Sequence, residues 1–282
     1  MRRIDEILKA AAEILAKNGI DDAPRQAASL LGLALDKDRA FLIAHPEYEL
    51  TSDEQSRFEE YLGRRAGREP LQYIRGTQEF YGLEFDVSRG VLIPRPETEI
   101  LVENAIGLLK DETGPYFCEV GVGTGCISIS ILHEVRQAFA TGLDISDQTL
   151  EFAERNAQKN GVSDRLKLVN SDIFSALATE TFDLIVSNPP YIPKTEYDLL
   201  QPEVRDFEPA LALTDGGSGL SIIEKIVLEA PKYLRPGGFL LMEIGFGQVE
   251  RVAEMFASPV WQTCEILPDL RSIPRSVKAR LA

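Results

Sequence analysis

Cysteine is scarce. Cys118, Cys126 and Cys264 make an odd number with no metal-like spacing, which points to a reducing, cytoplasmic setting. Histidine is scarcer still: His45 and His133 stand alone, so both read as structural or surface residues and no metal is expected. Basic charge is in deficit, with 30 Lys and Arg against 45 Asp and Glu and a net charge of −15. That balance argues against broad contact with a phosphate backbone and favours a protein or small-molecule substrate. No apolar run approaches the roughly 20 residues that span a bilayer, so no membrane partner is expected. The first fifteen residues interleave Arg2, Arg3, Asp5, Glu6, Lys9 and Glu13 with apolar positions, the pattern of an amphipathic helix and not of a signal-peptide core. Internal repeats and low-complexity stretches are missing too.

What is present is ordinary globular composition, 44% hydrophobic and 27% charged, over a length that suits one large domain or two smaller ones. Residues 1–72 read as a small helical domain. Ile4, Ile7, Leu8, Ala11, Ile14 and Leu15 recur at helical spacing and Gly19 is a stop. Asp21 or Asp22 is placed to cap a second helix with Pro24 in its first turn, and Thr51 or Ser52 opens another carrying Phe58, Tyr61 and Leu62. Between 73 and 94 the period changes. Tyr73, Ile74, Phe80, Tyr81, Leu83 and Phe85, punctuated by Gly76, Gly82 and Gly90, predict short strands and a hairpin linking two domains. Residues 95–282 then alternate strands and helices, an α/β pattern that closes with an antiparallel pair at 265–267 and 277–281. Arg235-Pro236-Gly237-Gly238 reads as the turn ending a helix over 221–234.

The chain is organised around Phe182–Tyr191. Its first half is a buried strand rich in β-branched residues. Its second half, Asn188-Pro189-Pro190-Tyr191, cannot continue that strand, because successive prolines lack donors and hold the preceding residues extended. Ligands bind at the carboxyl edge of an open α/β sheet, where this segment falls. The Asn188 side-chain carbonyl and a neighbouring backbone carbonyl are two acceptors suited to an –NH2 group, and Tyr191 adds a flat face for a planar substrate. Asn-Pro is also common turn chemistry.

A second loop lies upstream. The strand at 116–120 runs into Gly121-Val122-Gly123-Thr124-Gly125, glycines that permit tight turning and close approach of a ligand at a helix N-terminus. A dinucleotide fingerprint needs glycine where Cys126 stands. The run from Glu119 is instead Glu-x-Gly-x-Gly-x-Gly, the pattern of S-adenosylmethionine enzymes, in which Glu119 suits the cationic end of an amino-acid ligand. Asp144, at the tip of the second strand, is placed to accept from ribose hydroxyls or to cap the next helix. Asp172 and Ile173, after the third strand, are placed for an adenine amino group and ring. The candidate cofactor set is therefore Glu119, Gly121, Val122, Gly123, Gly125, Asp144, Asp172, Ile173 and Asn188. Asn188, Pro189, Pro190 and Tyr191 are the candidate substrate residues, with Asn188, Pro189 and Tyr191 expected to be catalytic.

Asn188-Pro189-Pro190-Tyr191 matches the signature of methyltransferases acting on exocyclic or amide nitrogens. Pro70-Leu71-Gln72-Tyr73-Ile74 with Gly76, Glu79-Phe80-Tyr81-Gly82-Leu83, Ile93-Pro94-Arg95-Pro96-Glu97-Thr98-Glu99 and Pro202–Pro209 follow in order. From about residue 20 onward the chain resembles the release factor glutamine methyltransferases. The resemblance implies a Rossmann-like, seven-stranded methyltransferase domain after a helical substrate-recognition domain. It implies S-adenosyl-L-methionine as cofactor and, as protein partner, class 1 peptide chain release factors methylated at the glutamine of a Gly-Gly-Gln motif. It also puts Leu92 and Arg95 beside the cofactor. Ser218 departs from the acidic residue found there in many relatives. A monomer with no direct nucleic-acid contact is expected. Three other readings stay open: a nucleic-acid adenine methyltransferase, a glutamine methyltransferase of a ribosomal protein, and a noncatalytic nucleotide-binding module.

Overall fold

The computed structural model describes residues 3–269 and 271–282. The chain forms two compact units, one of Met1–Gly76 with Gln201–Phe207, the other of Thr77–Leu200 with Glu208–Ala282.

The first unit is helical: α1 (Ile4–Lys17), α2 (Ala23–Leu35), α3 (Arg39–Ala44), α4 (Ser52–Ala66) and α5 (Leu71–Arg75). Ile4, Ile7, Ala11 and Leu15 bury one stripe of α1, whereas Ile14 is 42% exposed. Asp22 occupies the N-cap of α2 but, with left-handed backbone, makes no capping hydrogen bond. Thr51 caps α4 in a reciprocal box with Glu54. Tyr73 and Ile74, expected in strands, are buried in α5, and Gly76 at φ 84° ends that helix. The linker expected from residue 73 therefore begins after Gly76. Gln201–Phe207 belongs to this unit through Glu203, whose carboxylate accepts from buried Arg65 at 2.8 Å and from Arg68.

The second unit opens with hairpin β1 (Thr77–Phe80) and β2 (Leu83–Asp86), turned by Tyr81 and Gly82 at positive φ. The helix α6 (Glu99–Leu109) follows a 3-10 turn, Pro96–Thr98. The main sheet comprises β3 (Tyr116–Val120), β4 (Phe139–Asp144), β5 (Leu166–Asn170), β6 (Phe182–Ser187), β7 (Leu234–Glu243), β8 (Trp261–Pro268) and β9 (Pro274–Leu281). Its order is β5-β4-β3-β6-β7-β9-β8, parallel except for β9, which runs antiparallel to both neighbours. It is a seven-stranded Rossmann-like sheet. Helices α7 (Cys126–Glu134) and α8 (Asp147–Lys159) follow the first two parallel strands. Short helices α9 (Lys194–Tyr197) and α10 (Pro202–Arg205) lie in the long connection after β6, and α11 (Ser221–Glu229) and α12 (Val249–Met255) flank β7.

Arg235–Gly238 is not the helix-terminating turn that its proline and two glycines predict. The four residues are taken into β7 at a shift in its pairing with β6, between Leu234 and Phe239. An added Cβ on Gly238 would lie 2.9 Å from the Arg235 carbonyl and 3.0 Å from that of Asp183, so only glycine admits this approach. Two apolar clusters fill the unit, one around Phe117, Ile129, Leu184 and Leu241, the other around Ile185, Leu240, Ile223 and Val277. Among the described residues no helix is long and apolar enough to cross a membrane.

Candidate active site

The parallel pairing of β3 with β6 sets Val120 opposite Ser187. Gly121 and Asn188 are thus the first residues beyond two neighbouring strands, and Ser187 Oγ fastens the pair by donating to Val120 O at 2.7 Å. This is the crevice at a topological switch point, where the sheet order reverses.

On the β3 side the loop is held largely by backbone. Gly121 N and Val122 N both donate to Leu143 O, at 2.8 and 2.9 Å, and Gly125 N donates to Val122 O at 2.8 Å. Gly121, Gly123 and Gly125 all have φ between 56° and 82°, the left-handed region that glycine enters without a steric penalty. Val122 packs so closely on Gly142 that a Cβ there would sit 2.8 Å from its side chain. Asp144 Oδ2 accepts from Gly123 N at 3.1 Å and Oδ1 from Ser146 N at 3.0 Å. The cap of α8 is Ser146, whose side chain accepts from Thr149 N, so Asp144 is not that helix's N-cap. Burial raises the Asp144 pKa against its backbone hydrogen bonds.

Glu119 is 1% exposed and accepts from Ser128 N at 2.9 Å and from the Ser128 hydroxyl. It thereby serves the first turn of α7, whose N-cap is Gly125 and carries no side chain. Desolvation pushes its pKa up to about 8. Asp172 is exposed beyond β5, while Ile173 is buried beside it at φ 52°. A β-branched residue in that region is strained.

On the β6 side the segment is held by side chains. Asn188 Nδ2 donates to Thr98 Oγ1 at 3.1 Å, Thr98 Oγ1 donates to Glu243 Oε2 at 2.7 Å, and the Tyr191 hydroxyl donates to Glu243 Oε1 at 2.9 Å. Thr98 and Glu243 are each 2% exposed. Burial, together with the facing carboxylate, raises the Tyr191 phenol, leaving it a neutral donor. Gln248 Nε2 holds Tyr191 O at 2.9 Å, and its Oε1 accepts from Gly245 N at 2.8 Å. Asp215 turns the chain near Gly219, accepting from the Ser221 hydroxyl and from Ser221 N, Gly217 N and Gly219 N, and these bonds lower its pKa to about 2 against its partial burial. Arg95 is engaged by buried Glu208, which also accepts from Ile93 N at 3.0 Å.

Sequence reasoning missed Glu243, Gln248 and Asp215, and treated Thr98 only as part of a helix start. A signal for Glu243 was there: a carboxylate in the otherwise apolar run Phe239-Leu240-Leu241-Met242-Glu243-Ile244 is buried only with partners.

Sheet order, switch-point crevice and glycine loop together define a Rossmann-like methyltransferase domain. Residues 97–246 match the family described as methyltransferase small domain, and residues 6–76 match the PrmC N-terminal domain. The chain is 43% identical over 260 residues to the release factor glutamine methyltransferase of Koribacter versatilis, covering 92% of this chain and 91% of that one. It is 40% identical over 278 residues to that of Geobacter sulfurreducens, covering 99% and 96%. The fold is shared with a T. thermophilus 16S rRNA N2 G1207 methyltransferase in complex with AdoMet and guanosine, at TM-score 0.53 and 19% identity over 73% of this chain and 50% of that one. The chain belongs to the release factor glutamine methyltransferase family.

Proposed function

We propose that the protein transfers a methyl group from S-adenosyl-L-methionine to the side-chain amide nitrogen of the glutamine in the Gly-Gly-Gln motif of class 1 peptide chain release factors. The observation that carries this reading is the Asn188 amide, tied by its nitrogen at the end of β6 and one strand away from the glycine loop.

The residues of that loop fit the cofactor. Asp144 accepts from backbone N–H groups at both oxygens, Gly123 N at Oδ2 and Ser146 N at Oδ1, and a carboxylate has further lone pairs to offer ribose hydroxyls. Glu119 is a buried carboxylate whose pKa is raised by desolvation and by nearby Asp144, and an ammonium group beside it would favour its charged form. Gly121 has nothing within 4 Å of where a Cβ would stand, so the loop is open to a ligand there. In this reading Ile173 would pack on the adenine and Asp172 would accept from its amino group.

S-adenosylmethionine supplies a methyl group on a sulfonium, a strong electrophile that needs only a nucleophile in line. The chain's own residues prepare that nucleophile. An amide nitrogen is poor at this task because its lone pair is delocalised into the carbonyl. Acceptors at the Asn188 side chain and the Pro189 backbone hold the two amide protons, and Tyr191 bounds the amide plane. The nitrogen would gain the methyl as the sulfonium–carbon bond breaks to leave a neutral thioether, and one of its two held protons would pass to solvent; orientation and electrostatic fit then carry most of the catalysis, without a strong base. The helical unit serves as the recognition element for the protein substrate, and the net charge of −15 weighs against a nucleic-acid substrate.

The test is incubation with labelled S-adenosylmethionine and a purified class 1 release factor, followed by peptide mass spectrometry. One added methyl on the Gly-Gly-Gln glutamine is expected. Label appearing only in RNA, DNA or a ribosomal protein would overturn the assignment.

A further inference from the structure

The direction of the Asn188 amide decides whether it offers the substrate an acceptor or a donor, because its two ends have opposite hydrogen-bonding character. Three hydrogen bonds on the buried side of Asn188 settle that direction. Glu243, as a carboxylate, has acceptors only, so the two hydroxyls that reach it must both donate: Thr98 at 2.7 Å and Tyr191 at 2.9 Å. The Thr98 hydroxyl has one proton, and Glu243 takes it. What Thr98 has left is lone pairs, so the Asn188 atom 3.1 Å away must be the nitrogen. The carbonyl oxygen then lies on the opposite side of the amide, away from Thr98. Burial, with the negative charge of Glu97, raises the Glu243 pKa, and the Thr98 and Tyr191 hydroxyls and the positive charge of Arg275 act against that rise.

We infer that Thr98 and Glu243 are positioning residues for methyl transfer, acting through Asn188 by fixing its carbonyl as the end presented to the substrate. The inference rests on the proposed role of Asn188 as an acceptor for the substrate amide. Thr98 itself, in the turn before α6, touches neither substrate nor reacting atoms; it relays the demand of a carboxylate on β7 to an amide on the end of β6. Without that relay the Asn188 amide is free to rotate, and its NH2 group faces another NH2 group for part of the time. The same carboxylate orders Tyr191, so one buried charge sets two members of the segment at once.

A double-mutant cycle tests this. Thr98→Val keeps the shape and removes the hydroxyl, and Thr98→Ser keeps the hydroxyl. With S-adenosylmethionine and a release factor both saturating, Thr98→Val is expected to slow single-turnover methyl transfer by roughly tenfold, the scale of one lost orienting hydrogen bond. Thr98→Ser is expected to retain most of the rate. In an Asn188→Ala background the Thr98→Val change is expected to cost less than about twofold, because the residue it acts through is gone. Calorimetric affinity for S-adenosylmethionine is expected to be unchanged by Thr98→Val. Glu243→Gln has one carbonyl for two hydroxyls, so it is expected to slow transfer as well, with a smaller cost in the Asn188→Ala background where only its hold on Tyr191 remains to be lost, and it serves as the second arm if Thr98→Val does not fold. An equal cost of Thr98→Val in both backgrounds, or no cost in either, overturns the inference while leaving the role of Asn188 standing. A near-native rate for Asn188→Ala alone overturns the underlying reading itself.

Discussion

The two loops at the switch point are built by different means. The loop after β3 is shaped largely by backbone hydrogen bonds, with glycines at positive φ supplying turns that no side chain could. The segment after β6 is stiffened by Pro189 and Pro190 and then aimed by side chains from far along the sequence: Thr98, Glu243 and Gln248. A backbone-made loop tolerates exchange at its non-glycine positions but not at its glycines. A side-chain-made one fails when any member of its network is removed, because buried polar groups are left unmatched.

The largest effect that bears on this contrast is expected at Asn188. Asn188→Ala leaves both prolines in place, so the fold survives while kcat in single-turnover assays falls on the order of a hundredfold or more. Loss of stability with turnover intact would reduce Asn188 to a strand-ending residue. Next is Gly219, at φ 76°, where a Cβ would collide with the Tyr191 carbonyl. Gly219→Ala should destabilise the protein by about 2–3 kcal/mol through strain and displacement of Tyr191, read by denaturant melts. Equal stability would show that the segment yields more easily than its packing implies.

On the β3 side, Asp144→Ala should weaken S-adenosylmethionine binding by about 1.5–3 kcal/mol, the worth of charged hydrogen bonds, with no loss of the Ser146 cap of α8. Unchanged calorimetric affinity would leave Asp144 as a brace for the backbone at Gly123 and Ser146.

The last effect is a pH slope, small over any one pH unit. Glu119 carries a folded pKa of about 8 against an ordinary 4.5. The folded state therefore holds a proton that the unfolded chain releases, and stability falls as pH rises between those values, by at most about 1.4 kcal/mol per pH unit. Thermal melts of the ligand-free protein should show this component lost in Glu119→Gln. A variant with the wild-type slope would place the titration elsewhere.

Much of this was readable along the chain. The hairpin, the parallel strands, the glycine loop and Asn188-Pro189-Pro190-Tyr191 all announce themselves through residue type within a few positions. The misreadings have a common cause. Tyr73 and Ile74 resemble strand residues, but tertiary packing places them in α5, and the Arg235–Gly238 turn chemistry is absorbed into β7 as an irregularity. Local propensity was overruled by packing at Tyr73 and Ile74 and by strand pairing at Arg235–Gly238.

The sequence by itself determined the alternation of strand and helix, the stiff segment after β6 and the position of its glycines, because backbone freedom and apolar period are local properties of residues. Only the tertiary structure decided which way Asn188 faces. That orientation depends on Thr98, 90 residues earlier, and on Glu243, 145 residues beyond Thr98. Hydrogen bonding reaches only about 3 Å, so no pattern along the chain reports it until the sheet brings the three together.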